Sequence, residues 1–552
     1  MLCMQVGQPE LAVAMLKRAV ALNSNVAQLH SILGAALEAL GSLDSALASY
    51  DKALALQANL AETHYNRASV LRKKGRPEEA LKDYDAAIAL APGFAEASYN
   101  QGLVLDELER PLEACASYER AITAKADFAA AYFNWGLTLR RLGRLPEALA
   151  SFDGALAANP EFAQARYSRG LVLHTLNLPE EALAEFDTAV ALVPNYAEAY
   201  RAKALLLHEL QRPEDAIASF DLSLVHCPGD PIALAGRGLS FLLSGRLDEG
   251  WRDYEWRLSS PDLTDDMRGG DAPVWRGEPL ATRTLYVHSE QGFGDTLQFC
   301  RYVPLLGAGA SVIFEVQPAL KRLLASLPGS ARVIARGEPV PTFDLHCSLL
   351  SVPGIYATTL ETIPAAVPYL AADAAAVALW RERLAGLQGL KVGLTWAGAP
   401  RLHRPHAAAI DKRRSVSLDM MAPLSEVTGV TFVSLQKGSP AAQTISPPRG
   451  MALVDFTAEL NDFADTAALV GALDLVISVD TSVAHLAGAM GKAVWLLNRH
   501  DTCWRWLMNR DDSPWYPTLR QFRQSTAGDW SGVMQSARDA LAALVRDRSS
   551  HD

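Results

Sequence analysis

Hydrophobic positions in the first half of the chain follow a helical period, and the whole pattern returns every 34 residues. Stepping from Gly34 meets Ala68, Gly102, Gly136, Gly170, Ala204 and Gly238. Twelve residues after the first six stand Ala46, Ala80, Ala114, Ala148, Ala182 and Ala216, and four further on Tyr50, Tyr84, Tyr118, Phe152, Phe186 and Phe220. Pro92, Pro160, Pro194 and Pro228 recur in phase. Small residues let paired helices approach, the aromatic fills the gap between one pair and the next, and proline stands where a helix stops. The spacing predicts six full repeats over residues 25–228 and a degenerate seventh to Leu258. Before residue 25 only a second-helix pattern is visible (Ala12, Ala19), so the chain reads as opening mid-repeat, either as a cap or with its first helix upstream.

The period ends at "LSSPDLTDDMRGGDAPVWRGEPL", whose Pro, Gly and Asp mark a boundary. Beyond it, short β-rich runs ("TLYVHS", "SVIFEV", "RVIA", "KVGLTWA", "VTFVSLQ", "DLVISVD", "AVWLLN") alternate with helical patterns. Such alternation predicts parallel sheets covered on both faces. The expected organisation is a solenoid at 1–258, a linker at 259–282, a first α/β lobe at 283–370, a helix between lobes at 371–390 and a second α/β lobe at 391–552.

The length of 552 residues also exceeds what one core supports. A net charge of −11 argues against nucleic acid, and no run of 18 apolar residues offers a membrane span. The start carries Glu10 within its apolar stretch and lacks a basic leader, so it makes a poor signal peptide. Six scattered cysteines without a CxxC pair suggest a reducing compartment, and the cytoplasm is the expected location.

Two stretches carry candidate chemistry. In "SEQGFGDTLQF", Gly292 and Gly294 follow the first predicted strand, where glycine permits positive φ and close approach of a substrate. Asp295 then stands at a helix start, as a helix cap or as a functional carboxylate. In "LVISVDTSVAHLAGAMG", a strand ends at Asp480, and Thr481 and Ser482 open a helix whose free N–H groups suit a diphosphate. His485, one turn on, is either a proton donor to a leaving group or a buried structural histidine. Arg414 and Lys437 follow predicted strands and could meet phosphates; Trp396 could pack a nucleotide or the core. His403 and His406 form an HxxH pair too small for a metal site, within a basic loop that could close over a ligand. Trp504, Trp506 and Trp515 read as packing residues, and Asp511–Asp512 as a solvated loop.

The 34-residue pattern resembles the tetratricopeptide repeat. By that resemblance Asn66, Asn100 and Asn134, followed in phase by Ser168, face the groove, preceded by Tyr65, Tyr99, Phe133 and Tyr167. They are similar to the asparagine ladder of O-GlcNAc transferases, which implies a groove for an extended polypeptide; the alternative is that they bond neighbouring helices within the solenoid. The second half resembles the heptosyltransferase-like glycosyltransferases of GT-B fold, through the GxGD loop and the Asp480-Thr481-Ser482…His485 run with Gly488 and Gly491. "LTWAGAP", "DKRRSVSL", "SLQKG" and "WRWLMNRDDSPWYPTLRQFRQ" extend this to bacterial proteins that join repeats to such a domain, including a flagellin-modifying type. The resemblance implies two doubly wound Rossmann-like lobes and a nucleotide-sugar donor, ADP-heptose or a CMP-linked acid. It also implies Asp295 as base, Lys437, Arg414 and the Thr481–Ser482 helix end on the leaving phosphates, and no metal or other cofactor. The acceptor would be a Ser or Thr of a recruited protein such as flagellin; a surface glycan or a lapsed scaffold are the alternatives. Pro304 falls nine residues after Asp295, later than in lipopolysaccharide heptosyltransferases, which counts against a lipid-sugar acceptor.

Overall fold

The computed structural model describes residues 9–259, 270, 272–306, 311–329, 331–399 and 405–549. The chain forms two compact units, one up to Leu206 and one from Leu207.

The first unit is a run of helix pairs, among them Ala61–Lys73 with Pro77–Leu90, Ala95–Glu107 with Pro111–Ala124, and Ala129–Arg141 with Leu145–Ala158. Second helices open on Pro77, Pro111 and Pro179, where a missing N–H costs nothing. They end at Leu90, Ala158 and Leu192, two residues ahead of the recurring prolines. The turn inside each pair places one residue in the left-handed region: Gly41, Gly75, Glu109, Gly143 and Asn177, with φ of 70°, 69°, 56°, 74° and 62°. There Gly41 N–H donates to Glu38 O and Ser42 N–H to Leu37 O, each at 2.9 Å, closing the end of the first helix.

The aromatic of each repeat has a different seat from the expected one. It lies on the small residue of its own pair: a Cβ added at Gly102 would stand 2.6 Å from the Tyr118 ring, and one at Gly136 2.6 Å from Phe152. Successive repeats are instead joined by a second aromatic series. Phe94, Phe128, Phe162 and Tyr196, also 34 apart, meet Tyr65, Tyr99, Phe133 and Tyr167 with ring centroids 4.9, 4.9, 4.9 and 5.2 Å apart.

The second unit begins with helices Pro213–His226, Pro231–Ser244 and Leu247–Tyr254. Although they continue the repeat pattern, they pack with the sheets. Trp251 Nε1 donates to Thr358 O at 2.9 Å, and its ring meets Trp504 at 5.4 Å and Phe299 at 6.3 Å. The boundary between compact units therefore lies at 206/207 and not at 258, because these aromatics need the α/β core to be buried. Residues 260–269 and 271 of the expected linker lie outside the described residues; further along it, Val274 and Trp275 already pair with His346.

Two all-parallel sheets follow. Strands β1 (Thr284–His288), β2 (Ser311–Val316), β3 (Ala331–Ala335) and β4 (Leu345–Ser348) lie in the order β3-β2-β1-β4. Strands β5 (Leu390–Thr395), β6 (Val430–Ser434), β7 (Leu453–Asp455), β8 (Leu475–Val479), β9 (Val494–Asn498) and β10 (Leu519–Arg523) lie in the order β10-β9-β8-β5-β6-β7. The strand order reverses between β1 and β4 and between β8 and β5, the points at which open parallel sheets leave a crevice beyond their carboxyl ends. One apolar cluster runs from Leu242 through both sheets' helices to Leu519. Helix Ala374–Leu384, expected between the lobes, packs on Phe463–Gly471 beside the second sheet.

Candidate functional site

The loop leaving β1 meets the helix leaving β8. Helix Phe293–Phe299 packs on Ser482–Ala489, and a Cβ added at Gly294 would stand 2.8 Å from His485 Cδ2 and 3.3 Å from its Nε2. Glycine at 294 is thus required by close approach. Positive φ plays no part at either glycine: Gly292 is extended (φ −92°), and the left-handed residue of this turn is Gln291, at φ 60°.

Asp295 both caps a helix and bridges the sheets. Its Oδ2 accepts the Gly292 N–H at 2.9 Å, and its Oδ1 takes an ion pair from Arg505, in the turn Trp504–Trp506. Arg505 Cζ lies 4.3 Å from the centre of the Trp504 ring, and its Nη1 donates to Cys503 Sγ at 3.2 Å. Burial alone would weaken this guanidinium's hold on its proton, but Asp295 reverses the effect and its pKa is raised.

His485 is enclosed. Its ring stacks on Trp506 at 4.9 Å, and Nδ1 shares a hydrogen bond with the Tyr516 hydroxyl at 2.9 Å. Burial lowers its pKa from 6.5 to about 4, with Asp480 opposing, so it is a neutral imidazole near pH 7. Beneath it Arg301 is buried and pairs with no carboxylate among the described residues: it donates to Trp515 O at 2.7 Å and Tyr369 Oη at 2.8 Å and lies over the Tyr516 ring at 4.9 Å.

Around β8 and β5 the arrangement is cationic. Burial pushes the Asp480 carboxyl up, but Arg414, then His485 and Arg499, outweigh it and the pKa is lowered. Arg414 also pairs with Asp411 at 2.6 Å and covers Gly398. The Thr481 hydroxyl bonds Ser478 Oγ at 2.9 Å and leaves the first turn of Ser482–Ala489 without a side-chain cap. Two expected ligand contacts find other roles. Lys437 Nζ donates to Thr457 O at 2.7 Å and Leu460 O at 2.9 Å, fastening a loop. Trp396 is fully buried within the second sheet's core and offers no ring face to a nucleotide.

Sequence reasoning passed over several residues here. Arg257 and Glu290 form a buried pair at 2.6 Å, with Ser348 and Ser351, tying the end of the helical segment to β1 and β4. Gln436 Oε1 accepts from Trp396 N and Ala397 N at 3.0 and 2.8 Å, pinning the end of β5. Arg505 stood in plain view between two tryptophans, but its partner is 210 residues away. His403 and the side chain of His406 lie outside the described residues. Among the described residues no group of three or more His, Cys, Asp or Glu is placed to hold a metal. Trp504, Trp506 and Trp515 are all buried.

On the first unit, Asn100 Nδ2 donates to Tyr65 Oη at 2.9 Å and Asn134 Nδ2 to Tyr99 Oη at 3.1 Å. The amides therefore bond the preceding repeat with their nitrogen and keep their oxygen. Asn66 has only Ser31 at the corresponding place, and Ser31 bonds Thr63 instead.

Sequence profiles of the tetratricopeptide repeat match residues 39–75, 61–94, 95–128, 133–197 and 176–231. The helix pairs are tetratricopeptide repeats. The chain is also 30% identical over 349 residues to Protein FlbA of Caulobacter vibrioides, spanning 57% of this chain and 56% of that protein, little more than half its length. Among solved structures, YrrB, described as a tetratricopeptide-repeat protein with an unusual peptide-binding site, is 29% identical (34% of this chain, 97% of YrrB, TM-score 0.32). MamA is 25% identical (30% of this chain, 97% of MamA, TM-score 0.29). Among the described residues no helix is long and apolar enough to cross a membrane.

Proposed function

We propose that the α/β unit is a GT-B-type glycosyltransferase drawing on a nucleotide sugar, and that the repeats recruit its polypeptide acceptor, with flagellin as one candidate. The carrying observation is the meeting of the β1 and β8 loops at two strand-order reversals, with Gly294 against His485 and Asp295 held by Arg505. In this reading the acceptor hydroxyl gives its proton to Asp295 while its oxygen bonds the anomeric carbon. The bond from that carbon to the nucleotide's phosphate breaks, and the departing diphosphate keeps the electron pair. Arg414 and the uncapped first turn at Ser482 take the new negative charge, so the transfer needs no metal ion. Neutral His485 shapes the wall between the two loops.

A second reading has one observation in its favour. Both Asp295 oxygens are already engaged, one by the Gly292 N–H and one by Arg505, an arrangement that also suits a unit that binds a nucleotide without turnover. The experiment is mass spectrometry of nucleotide bound to purified protein, followed by nucleotide release from the matching sugar donor with and without acceptor, in EDTA. Binding with acceptor-dependent release supports transfer; binding without release supports the second reading. No binding of ADP, UDP, GDP or CMP species overturns both, and loss of release in EDTA overturns the metal-free step.

A further inference from the structure

We propose that Arg505 changes partners: a bound diphosphate draws it away from Asp295, and only then is Asp295 open to the acceptor hydroxyl. The inference rests on the α/β unit being a nucleotide-sugar transferase and specifies how its donor site governs its base. Among the described residues the Nε–H groups of Arg414, Arg499 and Arg505 are buried and meet no acceptor. A buried donor without an acceptor is costly, and three in one region point to a ligand rich in acceptor oxygens. Arg414 ends the helix beyond β5, and Arg499 is the first residue beyond β9; β8, which leads into Asp480, lies between those two strands. The charges of Arg414 and Arg499 act on Asp480, and those of Asp480 and Arg505 act on His485, so the three guanidiniums lie about the same two side chains.

Arg499 and Arg505 are buried but only partly committed. Arg499, its side chain 9% exposed, shares Asp501 with Arg413, at 3.0 and 2.9 Å. Arg505 gives Asp295 a single Nη2–H, and its Nη1 goes to Cys503 Sγ at 3.2 Å, a weak acceptor. A diphosphate can take two parallel N–H groups of one guanidinium, which is the stronger arrangement. The Trp504 ring carries the guanidinium, with Cζ 4.3 Å from its centre, so the head can turn on the ring while the stem stays packed. In the free protein Arg505 holds Asp295 Oδ1 and the Gly292 N–H holds Oδ2 at 2.9 Å, so an acceptor hydroxyl competes for an occupied carboxylate. With donor bound, its diphosphate takes Arg505, and Oδ1 is released to accept the hydroxyl proton. The acceptor oxygen then bonds the anomeric carbon, the bond from that carbon to the phosphate oxygen breaks, and the diphosphate keeps the electron pair, held by Arg505 as well as Arg414. The Asp295–Arg505 pair is thus the resting state of the site.

The full chain and its variants are titrated calorimetrically with inorganic pyrophosphate, ADP, UDP and GDP. Because Asp295 and the diphosphate compete for one guanidinium, Asp295→Asn should tighten binding of the probes that wild type takes up by about tenfold, the effect of one charge-assisted hydrogen bond. D295N/R505Q should lose that gain and bind about tenfold more weakly than wild type. Binding that is unchanged or weaker in Asp295→Asn overturns the exchange. So does tightening that persists in the double variant, which would be a general effect of charge. Circular dichroism checks that each variant is folded. Should Asp295→Asn unfold, Arg505→Lys decides: it keeps the charge but lacks paired N–H groups, so binding should weaken about tenfold, and binding as tight as wild type overturns the exchange. Wild type that binds none of the four probes overturns the exchange as well, whereas the transferase reading is judged separately, by the nucleotide that mass spectrometry finds.

Discussion

At the scale of the residue, the site rests on an ion pair that joins two loops and on a buried histidine. Asp295 and Arg505 are an ion pair between the β1 loop and the turn after β9. Removing one member leaves the other charged in a low-dielectric place, so Arg505→Ala should cost about 3–5 kcal/mol in urea unfolding. D295A/R505A together should cost less than the sum of the singles, which a double-mutant cycle measures. For the same reason a loss of activity in Asp295→Ala alone does not report chemistry; Asp295→Asn, which can keep the cap geometry, is the informative variant. His485 titrates near 4 when folded and near 6.5 when unfolded, because burial disfavours its cation. Between those values the unfolded chain binds the extra proton, so stability rises with pH through the window and is lost on acidification from about 6.5 towards 4. The loss approaches about 3 kcal/mol, and His485→Gln should flatten that part of the stability–pH curve. Gly292, Gly294, Asp295, Asp480 and His485 were all legible as a candidate site. Their partners Arg505, Tyr516 and Trp506 were not, since nothing local in the chain signals a contact made across more than 20 residues.

At the scale of the element, the 34-residue period carried most of the fold. The helix pairs and their prolines fell in phase with it, while the aromatics took a seat inside their own pair and not between pairs. The left-handed turn position was equally periodic yet easy to overlook, because Glu109 and Asn177 replace glycine there. Glu109 is exposed and held at φ 56°, so Glu109→Gly should relieve its strain and raise stability by about 0.5–1 kcal/mol, read as a higher Tm. Gly102→Ala should act oppositely: its Cβ would press on the buried Tyr118 ring, costing about 1–3 kcal/mol. Strands β1, β2, β3, β5, β6, β8 and β9 were visible as apolar runs. Strands β4, β7 and β10 were not, because "LHCS", "LVD" and "LRQFR" are short or polar and owe their pairing to a neighbouring strand.

At the scale of the whole molecule, the chain divides at 206/207 because Trp251, Tyr254 and Arg257 are built into the α/β unit. A fragment from residue 207 should express as a folded protein. One from residue 259, which lacks those three side chains and exposes Trp504 and Glu290, should aggregate or be digested rapidly by protease. The sequence by itself determined the repeat architecture and the parallel α/β character, since both follow from local periodicities of side-chain polarity. Only the tertiary structure decided where one unit ends, which glycine needs space and which needs dihedral freedom, and which charged groups are already spent on partners. Those questions depend on contacts between residues far apart in the chain, and no periodicity encodes them.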